Sequence, residues 1–284
     1  QRTSNGLNLH YVEAGRGHPV VLLHGATSQL QDMTASLMPR LSLDYHVIAF
    51  DRPGHGYSDR LPYRAWAEAQ AHAIHDAVRR MGLERPVIVG HSMGGAVAMA
   101  YGMLYPDELT GIVFLSGLAY AEVPSGSWLF GPAALPLVGN ALVHTLYQPV
   151  QPMIVRSMLR KFFAPQQIPD RLLEELPIDM LCRPQAMKAN SEDQMMTVPS
   201  LIDLQMHYEN YPLPVQVIAG SQDRTTDPNA HAWPLSQQLP RAKLRLLPGI
   251  GHMVHHFAQD EIAEAVHELF DGALTERLSS PRRG

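Results

Sequence analysis

The stretch Val87-Ile88-Val89-Gly90-His91-Ser92-Met93-Gly94-Gly95 decides the fold of this chain. A β-branched apolar run leads into a G-x-S-x-G motif, and a helical pattern of small residues follows at Ala96, Ala98 and Ala100. This is the sequence form of a nucleophile elbow, in which a serine is held on a strained turn between a strand and a helix. Such a turn would expose the Ser92 hydroxyl at the N-terminus of the helix, where partial positive charge favours an anion.

Short apolar runs recur along the chain and alternate with helical patterns, which is typical of a mainly parallel sheet with helices on both faces. A more alternating run at residues 7–13 predicts an antiparallel edge strand that forms a hairpin with the next strand. The predicted buried strands are residues 20–23, 47–50, 87–89, 112–115, 215–219 and 244–247, and the predicted helices between them are residues 66–81, 92–105, 228–239 and 260–270.

The alternation stops between about residues 117 and 211, where prolines are frequent and helix-like patches occur at residues 153–163 and 170–176. We therefore expect a core domain formed by residues 1–116 and 212–284, with residues 117–211 inserted as a helical cap. Seven of the 14 methionines fall in this insertion. Methionine adapts to irregular shapes, so these side chains are expected to face an apolar ligand, to fill the interior of the helical layer, or both.

Composition excludes several function classes. The chain has 284 residues and a net charge of −5 without a basic stripe, so we expect no nucleic-acid partner. The longest apolar stretch, residues 129–143, is short and broken by prolines, so we expect no membrane span. Cys182 is the only cysteine, which excludes an internal disulfide, and it is predicted to be inert. We expect a cytoplasmic protein, with a removed N-terminal signal or anchor as the alternative because the chain starts at Gln1.

A serine hydroxyl becomes a strong nucleophile only when an oriented base accepts its proton. Asp223 follows the predicted strand 215–219, and His252 follows the last predicted strand. The chain order is therefore Ser92, Asp223, His252, as nucleophile-elbow enzymes have it. All three residues follow carboxyl ends of parallel strands, where open α/β sheets place their sites. Asp51 and Asp227 are the alternative acids.

An oxyanion that forms next to Ser92 needs two hydrogen-bond donors. The backbone N–H of Met93, directly after the serine, is the first candidate. The second is expected from the turn after strand 20–23, where we choose the N–H of Ala26. His24, His91 and Met253 flank the predicted site and are candidates for substrate contact, although packing and hydrogen bonding are the favoured role of the two histidines.

Five stretches together resemble the α/β-hydrolase superfamily, in the form with an inserted helical cap. The resemblance implies a doubly covered, mostly parallel sheet and a hydrolase that needs no cofactor. Serine at position 92 argues against the relatives that use an aspartate nucleophile, and His91 stands where carbon–carbon hydrolases commonly have asparagine. The turn at residues 51–58 is mainly architectural in this family. The matching stretches are residues 22–25, 51–58, 90–95, 220–223 and 249–252.

The histidines at 252, 255 and 256 invite a metal-site interpretation, but no carboxylate-rich motif accompanies them, and we expect no metal. His255 and His256 are expected to begin the last helix, partly solvated. The cations Arg156, Arg160, Lys161 and Arg171 of the predicted cap are interpreted as a solvated helix face, with recognition of an anionic substrate group as the alternative.

The resulting prediction is a serine hydrolase that cleaves small to medium carboxylic esters with apolar acyl groups through an acyl-enzyme on Ser92. The alternatives are a carbon–carbon bond hydrolase or a perhydrolase of the haloperoxidase type with the same three residues. The remaining alternative is not an enzyme but a ligand receptor, which would bind a small molecule without turnover.

Overall fold

The computed structural model describes residues 1–61, 66–122, 132–135 and 138–279, of which the last four are described by their backbone only. Parts of the predicted cap and of the apolar stretch 129–143 therefore lie outside the described residues. Within the described ranges, no helix combines the length and the apolar character needed to cross a lipid bilayer.

The centre of the molecule is a seven-stranded sheet with the strand order β1-β3-β2-β4-β5-β6-β7. Six strands are parallel, and β1 at the edge is antiparallel to β3. The predicted α/β architecture is confirmed. The strands are β1 (Tyr11–Ala14), β2 (Pro19–Leu23), β3 (His46–Phe50), β4 (Val87–His91), β5 (Gly111–Leu115), β6 (Val215–Gly220) and β7 (Ala242–Leu247).

One expectation about the sheet is wrong. The antiparallel edge strand exists, but β1 pairs with β3 and not with its sequence neighbour β2. The reason is that β2 already has a partner on each side, β3 and β4, so its edges are both occupied.

Helices cover both faces of the sheet. Because the side chains on both faces of a strand are then buried, the strands are continuous apolar runs. Successive residues of β2 illustrate this alternation. Val21 and Leu23 pack towards α3, α4 and α10, while Val20 and Leu22 pack towards α1, α2 and α11. These helices are α1 (Leu30–Thr34), α2 (Met38–Leu41), α3 (Ala67–Arg80), α4 (Met93–Leu104), α10 (Ala232–Gln238) and α11 (Gln259–Ser279).

The remaining α-helices of the described residues lie between β5 and β6. They are α5 (Val138–His144), α6 (Gln151–Phe163), α7 (Asp170–Glu175), α8 (Ile178–Leu181) and α9 (Pro184–Gln205). Helix α10 begins at Ala232, four residues later than the predicted start at Pro228, because residues 227–231 form a turn closed by bonds to Asp227.

The strand order places a crevice next to the elbow. From β2 the chain moves outward to β3, whereas from β4 it moves in the other direction through β5, β6 and β7. The order thus reverses between β2 and β4, and open α/β sheets bind ligands at such a reversal, beyond the carboxyl ends of the strands.

Candidate active site

Ser92 lies on a sharp turn between β4 and α4, with φ 53° and ψ −118°. A left-handed φ is costly for a residue other than glycine and persists only where the surroundings enforce it. The Ser92 N–H donates a hydrogen bond to the Leu115 carbonyl oxygen (2.9 Å), which fixes the turn to β5. A methyl group added at Gly94 would lie 2.3 Å from the Leu23 carbonyl oxygen, so the glycine lets α4 approach β2.

Asp223 and His252 form a buried, hydrogen-bonded pair. His252 Nδ1–H donates to Asp223 Oδ2 (2.9 Å), and the exposed fractions of the two side chains are 3% and 0%. Asp223 Oδ1 accepts the N–H groups of Thr225 (2.8 Å) and Thr226 (2.9 Å). With Nδ1 acting as the donor, Nε2 of His252 is the ring atom available as a base.

The surroundings of Asp223 keep it ionised. Burial alone would raise its pKa, but the neighbouring His252 and the hydrogen bonds from Thr226 outweigh burial, so the pKa of Asp223 lies below its usual range. The Thr226 hydroxyl lies between two acceptors, Asp223 Oδ2 (2.7 Å) and the Ser116 carbonyl oxygen (2.8 Å), and its one proton can be donated to either. Thr226 thus lies between the acid and the end of β5. No motif in the sequence points to Thr226.

Ser92 and His252 both line a cavity of about 800 Å³, which lies between the carboxyl edge of the sheet and the inserted helices. Among the described residues, no hydrogen bond joins the Ser92 hydroxyl to His252. Such contacts are often long without substrate and tighten when it binds. The cavity walls are mostly apolar, with Met153, Ile154, Met158, Leu159, Phe162, Leu172 and Leu176 from the insertion.

Ala26 and Met93, the predicted oxyanion donors, also line this cavity. In the described part of the chain neither backbone N–H donates to another group of the protein, so both are available to an acceptor in the cavity. A methyl group added at Gly25 would lie 3.0 Å from Ser92 Cβ, so the turn that carries Ala26 is in contact with the elbow.

The three candidates for substrate contact lie in different environments. His24 is fully buried behind the turn and is not part of the cavity wall, because Nδ1–H donates to the Gly25 carbonyl oxygen (2.8 Å) and Nε2 accepts the Arg52 N–H (3.0 Å). His91 lines the cavity and donates from Nε2 to the His252 carbonyl oxygen (3.1 Å). Met253 lines the cavity and packs against Leu159 and Leu172.

The expectation for His255 and His256 is wrong. They form a short 3-10 turn before α11, and their exposed fractions are 0% and 8%. Their partner is Asp32 of α1, whose Oδ1 accepts from His256 Nε2 (2.7 Å) and whose Oδ2 lies 3.1 Å from His255 Nε2. Burial would raise the pKa of Asp32, but the two histidines hold it well below its usual range.

Asp32, His91 and His255 are also the residues that a metal ion could use. Each offers one ligand atom within 4.8 Å of the others. The carboxylate of Asp32 is already paired with both histidines of the turn, which accounts for its burial without an ion. The absence of a metal stays a prediction.

Neither alternative acid contacts His252. Asp51 accepts the N–H groups of Leu30 (2.8 Å) and Tyr57 (3.0 Å), while Asp227 accepts the N–H of Asn229 (2.9 Å). Among the predicted cap cations, Arg160 and Lys161 line the cavity. Arg171 instead pairs with Glu175 on its own helix (2.7 Å). Cys182 is half-buried, and burial raises the pKa of its thiol.

Comparison with known proteins identifies the family. Residues 18–259 match a family described as alpha/beta hydrolase fold. The chain is 28% identical over 270 residues to 2-hydroxy-6-oxo-6-phenylhexa-2,4-dienoate hydrolase of Burkholderia cepacia, covering 93% of this chain and 90% of that protein. It is 27% identical to 2-hydroxy-6-oxononadienedioate/2-hydroxy-6-oxononatrienedioate hydrolase of Comamonas testosteroni, with 93% and 90% covered.

A solved structure of a thermophilic esterase from Thermogutta terrifontis superimposes with a TM-score of 0.74 at 22% identity, covering 95% of this chain and 96% of that one. At this identity the likeness concerns the fold alone.

Proposed function

The chain belongs to the α/β-hydrolase fold family, and on that premise we propose that it is a serine hydrolase that cleaves carboxylic esters. One observation carries the proposal: His252, which is hydrogen-bonded to the buried Asp223, lines the same cavity as Ser92 on its strained elbow. We further propose that residues 117–211 act as a cap over this cavity.

In the proposed reaction, Ser92 Oγ attacks the acyl carbonyl carbon while its proton passes to His252 Nε2. Asp223 stabilises the imidazolium, and the N–H groups of Ala26 and Met93 receive the oxyanion. When the intermediate collapses, the ester C–O bond breaks and His252 gives its proton to the leaving alcohol. A water molecule, deprotonated by His252, then hydrolyses the acyl-enzyme and regenerates Ser92.

The cavity wall supports an apolar acyl group. The apolar side chains that the insertion contributes are methionine, leucine, isoleucine and phenylalanine, and methionine adapts to acyl chains of different shape. We therefore propose small to medium aliphatic or aromatic acyl groups as the substrate class.

The purified protein tests the reaction with p-nitrophenyl esters of increasing acyl length. Ser92→Ala should abolish turnover and leave the circular dichroism spectrum unchanged. Ser236→Ala, on the outer helix α10, is the matched control and should behave as the wild type. Undiminished cleavage by Ser92→Ala would overturn the mechanism.

A second candidate is hydrolysis of a carbon–carbon bond with the same three residues. It is favoured by the names of the two relatives, both hydrolases of unsaturated 2-hydroxy-6-oxo acids, which align over about nine tenths of their length. Arg160, Lys161 and Arg224 at the cavity would suit the carboxylates of such acids. Loss of the visible absorbance of 2-hydroxy-6-oxo-6-phenylhexa-2,4-dienoate, without cleavage of any ester, would replace the first proposal by this one.

A further inference from the structure

A fully buried arginine lies directly behind the turn that carries Ala26. The Arg52 side chain has an exposed fraction of 0%. Its Nε donates to the His24 carbonyl oxygen (2.8 Å) and its Nη2 to the Gly25 carbonyl oxygen (3.0 Å). The planar guanidinium therefore holds two successive peptide groups of the turn at once.

These bonds determine the direction of the Ala26 N–H. In a trans peptide unit the carbonyl and the N–H point in opposite directions, and the Gly25 carbonyl shares its unit with the Ala26 nitrogen. The Gly25 oxygen points to Arg52 and accepts a second hydrogen bond from His24 Nδ1 (2.8 Å). The Ala26 N–H consequently points away from Arg52, on the side where the turn meets the cavity.

The arginine is held in turn by the inserted helix α9. Arg52 Nη1 donates to Asp193 Oδ2 (2.7 Å), and the exposed fraction of Asp193 is also 0%. Gln70 of α3 completes the arrangement, because its Nε2 donates to Asp193 Oδ1 (3.0 Å) and its Oε1 accepts from Arg52 Nη1 (2.7 Å). The turn next to Ser92 is thus linked through one guanidinium to a helix inserted after β5.

Helix α9 holds the turn at a second point, on the other side of Ala26. Asn190 Oδ1 accepts the N–H of Thr27 (2.9 Å), and Thr27 has a left-handed φ of 51°. A threonine in that conformation is strained and needs an enforcing partner. Asn190 and Asp193 lie one helical turn apart and therefore face the turn together.

Stability alone is a weak explanation for such a pair. A buried ion pair loses much of its Coulomb energy to desolvation, and apolar side chains of similar volume often stabilise a protein equally well. What apolar side chains would not reproduce is the hydrogen bonding of the His24 and Gly25 carbonyl groups.

We propose that Arg52 and Asp193 are positioning residues that direct the Ala26 N–H into the cavity as an oxyanion donor, so that α9 controls stabilisation of the transition state. The inference rests on the proposed serine mechanism. It adds that the inserted helix does more than cover the substrate, because it holds half of the oxyanion site.

The test uses Arg52→Lys, which keeps the charge but replaces the several N–H donors of the guanidinium by one ammonium group. Asp193→Asn, which leaves the guanidinium in place, is the second variant should the first fail to fold. The matched control is Arg60→Lys, because Arg60 also pairs with α9, at Glu192, but contacts neither His24 nor Gly25. For each variant we would measure kcat and KM on a p-nitrophenyl ester.

Two inhibitors separate positioning from general damage. An aryl trifluoromethyl ketone adds to the serine and places an oxyanion in the site, whereas the matching methyl ketone reports ground-state binding. We expect Arg52→Lys to lower kcat by about 10²-fold, the cost typical of a displaced catalytic group, with KM nearly unchanged. The inhibition constant of the trifluoromethyl ketone should rise by a similar factor, and that of the methyl ketone should stay constant.

Equal losses for both ketones, or a folded Arg52→Lys with the kcat of the Arg60→Lys control, would overturn the inference and leave the proposed function intact. Turnover that survives in Ser92→Ala would instead remove the serine mechanism and the inference with it. The Ser92→Ala measurement therefore distinguishes the two failures.

Discussion

At the scale of single residues, Asp223 combines full burial with hydrogen bonds to its ionised form, so its charge is available to stabilise a protonated His252. Motif spacing was sufficient to place Ser92, Asp223 and His252 at one edge of the sheet, because each lies within about five residues of the carboxyl end of a recognisable strand. Their catalytic roles stay predictions. The exchange of Asp223 tests the role that we propose for it.

Asp223→Asn should lower kcat by about 10⁴-fold, because the amide favours the wrong tautomer of the imidazole and cannot stabilise its positive charge. The shape of the side chain is retained, so the melting temperature should stay close to that of the wild type while kcat falls. Asp227→Asn is the control, since Asp227 bonds to Asn229 and has no contact with His252. If the two variants lost activity equally, Asp223 would not be the acid of the site.

The surroundings of His24 show what could not be predicted at the scale of single residues. Its position after β2 suggests substrate contact, but its ring is turned away from the cavity by bonds to Gly25 and to the backbone of Arg52. Burial and the charges of Arg52 and His55 lower the pKa of His24 well below its usual range, so the ring is neutral at pH 7. The partner that orients it lies 28 positions away, a distance over which sequence patterns carry no information about side-chain direction.

At the scale of elements, the buried strands were predictable and α9 was not. Strands covered on both faces are continuous apolar runs, as in β4 and β5. The buried face of α9 instead includes Asn190, Ser191, Asp193, Thr197 and Ser200, so it lacks the apolar period by which helices are recognised. Two of these polar side chains, Asn190 and Asp193, bond to Thr27 and to Arg52. The contacts that hold the helix in place therefore remove the apolar pattern by which it could have been predicted.

The close approach of α4 to β2 predicts the outcome of a small substitution. A methyl group at Gly94 would lie 2.3 Å from the Leu23 oxygen and 2.6 Å from the His24 oxygen. Both are backbone atoms, so no side-chain rotation relieves the clash. Gly94→Ala should therefore destabilise the protein by more than the ~1–3 kcal/mol usual for an overpacked core.

Thermal unfolding of Gly94→Ala measures this effect, and Gly272→Ala is the control. Gly272 lies in α11, and an added methyl group there would have no atom within 4 Å. Gly272→Ala should raise the free energy of unfolding by about 0.8 kcal/mol, because alanine has a higher helix propensity than glycine. A Gly94→Ala protein as stable as the wild type would show that the elbow is not tightly packed against β2.

At the scale of the whole molecule, many of the buried polar groups are neutral histidines, which links stability to pH. Burial is the largest cause of a lowered pKa for each of them, and for His55 the pKa falls to about 4. These histidines are His24, His55, His91, His231 and His255. Below about pH 6.5 the unfolded chain binds a proton at each position and the native chain does not, so the free energy of unfolding falls with falling pH.

The buried carboxylates affect the stability of the protein at a lower pH than the histidines do. The pKa values of Asp32 and Asp223 lie below their usual range, so their contribution to stability is fully present above about pH 4 and is lost only below it. A loss of stability between pH 6.5 and 4 is therefore assigned to the histidines, each of which contributes a slope of up to about 1.4 kcal/mol per pH unit.

Urea unfolding at pH 8, 7, 6 and 5 should show a plateau above the histidine range and a steep decline below it. His55→Gln removes one of the groups that titrate on unfolding, and its lowered pKa of about 4 means that it contributes over the whole window. The free energy of unfolding of the variant should therefore fall less steeply with falling pH than that of the wild type. The difference in slope corresponds to one proton, or up to about 1.4 kcal/mol per pH unit. Equal stability at pH 5 and pH 7 in the wild type would contradict the buried, neutral state of these histidines.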